Sequence, residues 1–117
     1  MPTYDAIVLG CGAVGGAALG QLARRGLRVL GLDRFSPPHG HGSSHGRTRM
    51  IRQAYFEHPD YVPLLLRAYE LWRDLERETD RTLFHQVGMF SAGLPESDAV
   101  AGAMLAARTH DLPLEEL

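Results

Sequence analysis

Tyr4-Asp5-Ala6-Ile7-Val8-Leu9-Gly10-Cys11-Gly12-Ala13-Val14-Gly15 runs an apolar segment directly into G-x-G-x-x-G. The glycine triplet alone is weak evidence, but its setting between a strand and a helix is the one a dinucleotide site requires. Residues Ala13 to Arg25 carry Val14, Ala17, Ala18, Leu22 and Ala23 at near-helical spacing, and the run stops at Gly26, which suits the position just past a helix end. A second strand, Arg28 to Asp33, then finishes on an acid. Together these pieces read as a βαβ unit. Gly10 permits the tight turn, Gly12 lets the backbone approach a pyrophosphate, and Gly15 lets the helix lie close to the strand. The first-turn amides around Ala13 and Val14 are left for phosphate oxygens, and Asp33 accepts from the adenosine ribose. The alternative is a strand–helix corner whose glycines serve packing only.

Bulk composition narrows the class. With 44% apolar residues, 22% charged residues and a net charge of −2, the chain has the balance of a soluble globular protein and no basic field for nucleic acid. All 12 basic residues are arginine, so lysine-dependent chemistry has no donor here. The single cysteine, Cys11, excludes an intrachain disulfide and reads as a small residue in the glycine turn rather than a nucleophile. No apolar stretch approaches the roughly 20 residues of a membrane span. These features predict a cytoplasmic protein that binds neither membrane nor nucleic acid. A doubly wound sheet needs more strands than 117 residues supply here, so the chain reads as part of a longer protein.

Ten of the 13 glycines fall by Gly46, and the remainder reads differently. Residues 34 to 46 form a Pro-, Gly- and His-rich loop, longer than a simple connector. From Arg47 to Tyr55 the pattern predicts a helix. A stronger one is expected from Asp60 to Thr79, with Tyr61, Leu64, Leu65, Ala68, Leu71, Trp72 and Leu75 as a core-packing stripe. Leu83 to Ala92 predicts a strand interrupted by Gly88. A last helix starts at Pro95-Glu96-Ser97 and reaches about His110. His58 and His110 read as surface residues. His39, His41 and His45 raise a metal site, but a glycine loop without carboxylates or cysteines argues for none.

The stretch Pro37-Pro38-His39-Gly40-His41-Gly42-Ser43-Ser44-His45-Gly46-Arg47-Thr48-Arg49-Met50-Ile51-Arg52-Gln53-Ala54-Tyr55, with Tyr61-Val62-Pro63-Leu64 and Leu71-Trp72, resembles the monomeric sarcosine oxidase and N-methyltryptophan oxidase family. The S-H-G-x-T-R-x-I-R core is far more specific than the glycines. The resemblance implies an α/β fold: a Rossmann-like FAD-binding βαβ unit followed by helices and a strand, part of a larger two-domain flavin oxidase. Within it, residues 1–34 would be the βαβ unit, 35–58 the flavin and substrate loop with a short helix, and 59–117 a helix–strand–helix segment. His45 and Arg49 match residues beside the isoalloxazine ring, and Arg52 matches the arginine that pairs with the substrate carboxylate. These three are the catalytic candidates. If 45 to 52 were helical, steps of four and three would put them on one face. The alternative for Arg49 and Arg52 is an ion pair with Glu57 or Asp60.

The cofactor-binding candidates are Gly10, Gly12, Ala13, Val14, Gly15, Asp33, Arg34, Ser43, Ser44, Thr48, Arg49 and Met50. The chain departs from the family pattern at Ser44, Arg47, Gln53 and Phe56, where histidine, an acid, histidine and glycine are common. The cysteine that attaches FAD and the lysine that activates oxygen in this family lie beyond these residues, and Cys11 does not match that cysteine. The implied partners are an N-methyl amino acid and oxygen, and the implied reaction is oxidative demethylation. A nicotinamide-dependent dehydrogenase and a non-catalytic nucleotide-binding module are the competing readings, the βαβ unit alone being unable to separate NAD from FAD.

Overall fold

Ala6–Leu9 forms β1, and Val29–Leu32 forms β2, which pairs with it in parallel from Ala6 opposite Val29 to Leu9 opposite Leu32. The computed structural model describes residues 2–94 and 97–116. Between the strands, α1 spans Ala13–Arg24. It ends as its sequence predicts: Gly26 has φ +80°, its amide donates to the Ala23 carbonyl, and the Leu27 amide reaches the Leu22 carbonyl. That paired closure needs a left-handed residue, which glycine adopts without penalty. Side chains alternate along β1, so Val8 faces α1 while Ile7 and Leu9 point away and stay exposed, Leu9 at 80%. Only one face of this small sheet is covered by α1.

The chain divides into two compact units, Met1–Arg49 and Met50–Leu117. The second is helical. A 3-10 turn at Pro59–Tyr61, whose first turn is capped by the His58 ring accepting from the Asp60 amide, leads into α2, Val62–Thr79. The last helix, α3, covers Asp98–Thr109; the part of its expected start at Pro95 and Glu96 lies outside the described residues. Val62, Ala106 and Ala107 are the fully buried apolar side chains among the described residues. Gly102, one helical turn before Ala106, faces the Phe56 backbone so closely that a Cβ there would stand 2.1 Å from the Phe56 carbonyl oxygen.

Four expectations need correction. Arg47 to Tyr55 is not helical: Gly46 turns the chain at φ +126°, the Arg49 guanidinium takes the Thr48 and Ser43 carbonyls, and the Tyr69 hydroxyl takes the Ile51 carbonyl. The Thr48 and Ile51 carbonyls, which would have closed helical turns, are bonded to side chains instead, and the helical-face argument for His45, Arg49 and Arg52 falls with the helix. Leu83 to Ala92 is not a strand either. The amides of Leu83 and Phe84 donate to one Glu76 carboxylate oxygen at 2.7 and 2.8 Å, and Phe84 packs edge-on against Tyr69. The segment is held by α2 rather than by a neighbouring strand. Of the expected stripe on α2, Leu65, Ala68 and Leu75 are half-buried, whereas Tyr61, Leu64, Leu71 and Trp72 remain exposed. His110 is not a surface residue: it is half-buried, and its Nε2 is shielded from solvent without a hydrogen-bond partner among the described residues.

Candidate cofactor site

The glycine turn owes its shape to one close approach. Gly10 turns at φ +90°, and a Cβ built on Gly15 would stand 1.8 Å from the Gly10 carbonyl oxygen and 3.3 Å from Val8. No side chain larger than hydrogen fits at Gly15 without moving backbone. Cys11, between the glycines, turns its sulfur toward the Gly31 backbone together with Leu19, which is a packing role.

Asp33, one residue past β2, closes the turn from the other side. One carboxylate oxygen, Oδ2, accepts the Cys11 amide at 2.7 Å; the other, Oδ1, accepts the Phe35 amide at 3.0 Å and lies 3.1 Å from His39 Nε2. The Cys11 amide first, and the Phe35 amide second, hold this carboxyl below the usual range. Asp33 is thus an anion fastened to the turn it is expected to serve. His39 escaped notice in the sequence except as a possible metal ligand, because nothing in the spacing of a loop histidine announces a hydrogen bond back to the strand end.

The α1 N-terminus has no side-chain cap from Gly12, and its first amides have no carbonyl partner within the helix. Ser44 reaches back from the loop, its Oγ accepting from the Ala13 amide at 3.1 Å and lying 3.2 Å from where a Cβ on Gly12 would be. A hydroxyl that accepts there still has a proton to donate to a phosphate oxygen. Val14 points outward at 85% exposure. The fold thereby brings together Gly10, Gly12, Ala13, Val14, Gly15, Asp33 and Ser44.

The remaining candidates make separate arrangements. Arg34 lies over the Phe35 ring at 5.5 Å. His45 Nδ1 makes a short contact with the Gly42 carbonyl, and Arg49 donates from Nη2 to the Ser43 carbonyl at 2.9 Å and from Nη1 to that of Thr48 at 2.7 Å. Met50 is exposed. In the second unit, Arg52 lies 5.0 Å from the Tyr55 ring centre and 5.4 Å from that of Phe56, with Glu57 4.0 Å away. The expected alternative partner for Arg52 is therefore present, but at the long limit of an ion pair. Among the described residues, no group of three or more histidine, cysteine or acidic side chains could hold a metal ion.

A strand, a glycine turn, a helix and a strand-end acid tied to that turn define a dinucleotide-binding protein. A family model for FAD dependent oxidoreductases matches residues 5–117, and the chain belongs to that family. It is 53% identical over 116 residues to a monomeric sarcosine oxidase from Streptomyces avermitilis, covering 99% of this chain and 30% of that protein. It is 48% identical over 115 residues to a monomeric sarcosine oxidase from Bacillus sp. (strain B-0618), covering 97% and 30%. An N-methyl-L-tryptophan oxidase from Yersinia pestis (strain Pestoides F) is 44% identical over 114 residues, covering 97% and 31%. The chain thus spans about 30% of the length of the curated relatives it matches. The cofactor is FAD, and the fold is an α/β, Rossmann-like FAD-binding one. The local geometry fits its ADP half: Gly15 is closed to any Cβ, Ser44 is poised at the helix start, and Asp33 is aligned beside the turn.

No helix among the described residues is long and apolar enough to cross a membrane.

Proposed function

We propose that this chain is the N-terminal portion of a two-domain, FAD-dependent oxidase of secondary N-methyl amino acids, of the sarcosine or N-methyltryptophan kind. In this reading residues 1–34 bind the ADP half of FAD, 35–58 reach the flavin and substrate, and 59–117 are a supporting segment. The observation that carries it is the setting of Arg52. Its guanidinium lies near two aromatic rings and, among the described residues, has one acid partner, Glu57 at 4.0 Å, so its planar fork retains donors for a substrate carboxylate.

When bound, FAD would supply two-electron oxidation of the N-methyl carbon, with oxygen as the final acceptor of those two electrons and two protons, giving hydrogen peroxide. The resulting imine reacts with water to release formaldehyde and the demethylated amine. The chain's own residues bind and orient. Gly10, Gly12 and Gly15 admit the pyrophosphate, the Ala13 and Val14 amides with Ser44 donate to it, and Asp33 accepts from the ribose. Arg34, Ser43, Thr48 and Met50 extend this contact along the loop. His45 and Arg49 supply donors and positive potential beside the ring, and Arg52 anchors the carboxylate so that the methyl group is presented in one orientation. Arg49 is already braced by two carbonyls, which lowers the cost of holding a cation there.

The full-length protein is expected to purify yellow, to release peroxide with sarcosine, N-methyltryptophan or a related amine, and to show no stimulation by NAD or NADP. A folded, colourless protein that reduces a nicotinamide would replace this reading with the dehydrogenase one. The 117 residues alone are expected to turn over no amine even with added FAD; peroxide production by them would contradict the assignment of a partial site.

A further inference from the structure

His39 makes two hydrogen bonds that together define its chemistry. A backbone amide only donates, so the bond from the His41 amide to His39 Nδ1, 3.2 Å long, makes that nitrogen the acceptor. The neutral ring then carries its proton on Nε2, the atom 3.1 Å from Asp33 Oδ1. Both side chains are largely covered, 19% exposed for His39 and 12% for Asp33. The ring is also braced: Phe35 meets it edge-on at 5.3 Å, and the His41 ring stacks on Phe35 at 4.1 Å.

A carboxylate offers about four acceptor positions, two on each oxygen. On Asp33 the Phe35 amide and His39 fill Oδ1, and the Cys11 amide takes one position on Oδ2. Among the described residues, the one that remains is on Oδ2, the oxygen nearest the glycine turn. A terminal carboxylate torsion is broad; the Cys11 amide on Oδ2 and the Phe35 amide on Oδ1 narrow it, and the His39 bond adds a side-chain restraint on Oδ1. We propose that His39 is a positioning residue for cofactor binding: it holds Oδ1 of Asp33 so that the vacant acceptor position on Oδ2 meets one ribose hydroxyl of the adenosine. The inference rests on the reading of residues 1–34 as the ADP site, and it adds a residue outside the glycine motif to that site.

The test uses full-length apoprotein from riboflavin-limited cells, titrated calorimetrically with ADP and with 2′,3′-dideoxy-ADP, which lacks the ribose hydroxyls. His39→Leu is expected to weaken ADP binding roughly ten-fold, the scale of one hydrogen bond to a charged group, and to leave dideoxy-ADP binding within about two-fold. His39→Gln, which restores a side-chain N–H, is expected to recover most of the ADP affinity. In an Asp33→Ala background, His39→Leu should have no further effect. Equal losses for the two nucleotides, or no loss of ADP affinity in a folded His39→Leu protein, would overturn the proposal while leaving the ADP site intact. Wild-type apoprotein that binds neither ADP nor FAD would overturn the site reading and this inference with it.

Discussion

Each unit of this protein contains a helix that leans on backbone through a glycine, and the two glycines differ in how they are found. Gly15 of α1 sits against the Gly10 carbonyl, five residues away in a recognisable motif; Gly102 of α3 sits against the Phe56 carbonyl, far along the chain and in no motif. Both contacts exclude a Cβ, at 1.8 and 2.1 Å. The first unit is shaped by backbone geometry at the glycine turn, with its acid tied to main-chain amides. In the second unit, side chains organise the segments that lack regular structure: Glu76 collects two amides, Tyr69 bonds the Ile51 carbonyl, and the Tyr55 and Phe56 rings flank Arg52. Backbone-built sites leave motifs; side-chain-built ones depend on partners that no short pattern encodes.

The largest expected effect tests the chemistry assigned to the second unit. Replacing Arg52 by Met keeps much of the stem and leaves a substrate carboxylate unpaired, a loss of about 2–5 kcal/mol, so kcat/KM for an N-methyl amino acid should fall by roughly 30- to 5,000-fold. A comparable amine without the carboxylate should lose far less. Equal losses for both, with an unchanged flavin spectrum, would make Arg52 a support of the fold and remove the anchor.

Next come the two glycines themselves. Alanine normally favours a helix interior, but at Gly15 and Gly102 the added methyl must displace backbone, so each substitution should destabilise the full-length protein by about 1–3 kcal/mol or more. Denaturant unfolding measures both. Gly15→Ala should also abolish ADP binding to the apoprotein, whereas Gly102→Ala in the remaining folded fraction should not. A Gly102→Ala variant as stable as wild type would erase the parallel between the units.

Acidification probes the two tethering acids. The Cys11 and Phe35 amides lower Asp33 below its ordinary 3.8, and the Phe84 and Leu83 amides lower Glu76 below its ordinary 4.5. A lowered carboxylate contributes stability that is complete above its ordinary value and is lost as pH falls through its folded value. Amide-exchange protection at Cys11 and Phe35, and at Leu83 and Phe84, should therefore hold at neutral pH and weaken only as pH falls below the ordinary values of these carboxyls, 3.8 and 4.5. Glu76→Gln should remove that pH dependence at Leu83 and Phe84 alone. Coupled loss at both places in this variant would show that one global transition, not two local tethers, is being read.

The smallest effect is a control. Gly16 lies in α1 one residue beyond Gly15, and nothing stands within 4 Å of a Cβ built there. Gly16→Ala should stabilise by about 0.5–1 kcal/mol through helix propensity and reduced freedom of the unfolded chain. Destabilisation comparable to Gly15→Ala would mean that α1 tolerates no methyl at all, and the close approach would lose its explanatory role.

The sequence by itself determined the βαβ unit, because positive φ at Gly10 and Gly26 and the missing Cβ at Gly15 are demands that a short stretch imposes on its own residue types. It also determined α2 to within its first turn and the end of α1, where periodicity and capping act over a few residues. Tertiary structure decided the irregular segments. Arg47 to Tyr55 has a helical pattern, yet side chains of Arg49 and Tyr69 compete for its carbonyls. Leu83 to Ala92 has strand-like residues, but a strand exists only where another offers its edge, and the Glu76 carboxylate supplies the acceptor for Leu83 and Phe84. The bond from His39 to Asp33 belongs to the same class: a hydrogen bond is a property of two positions in space, and only the folded chain determines which two meet.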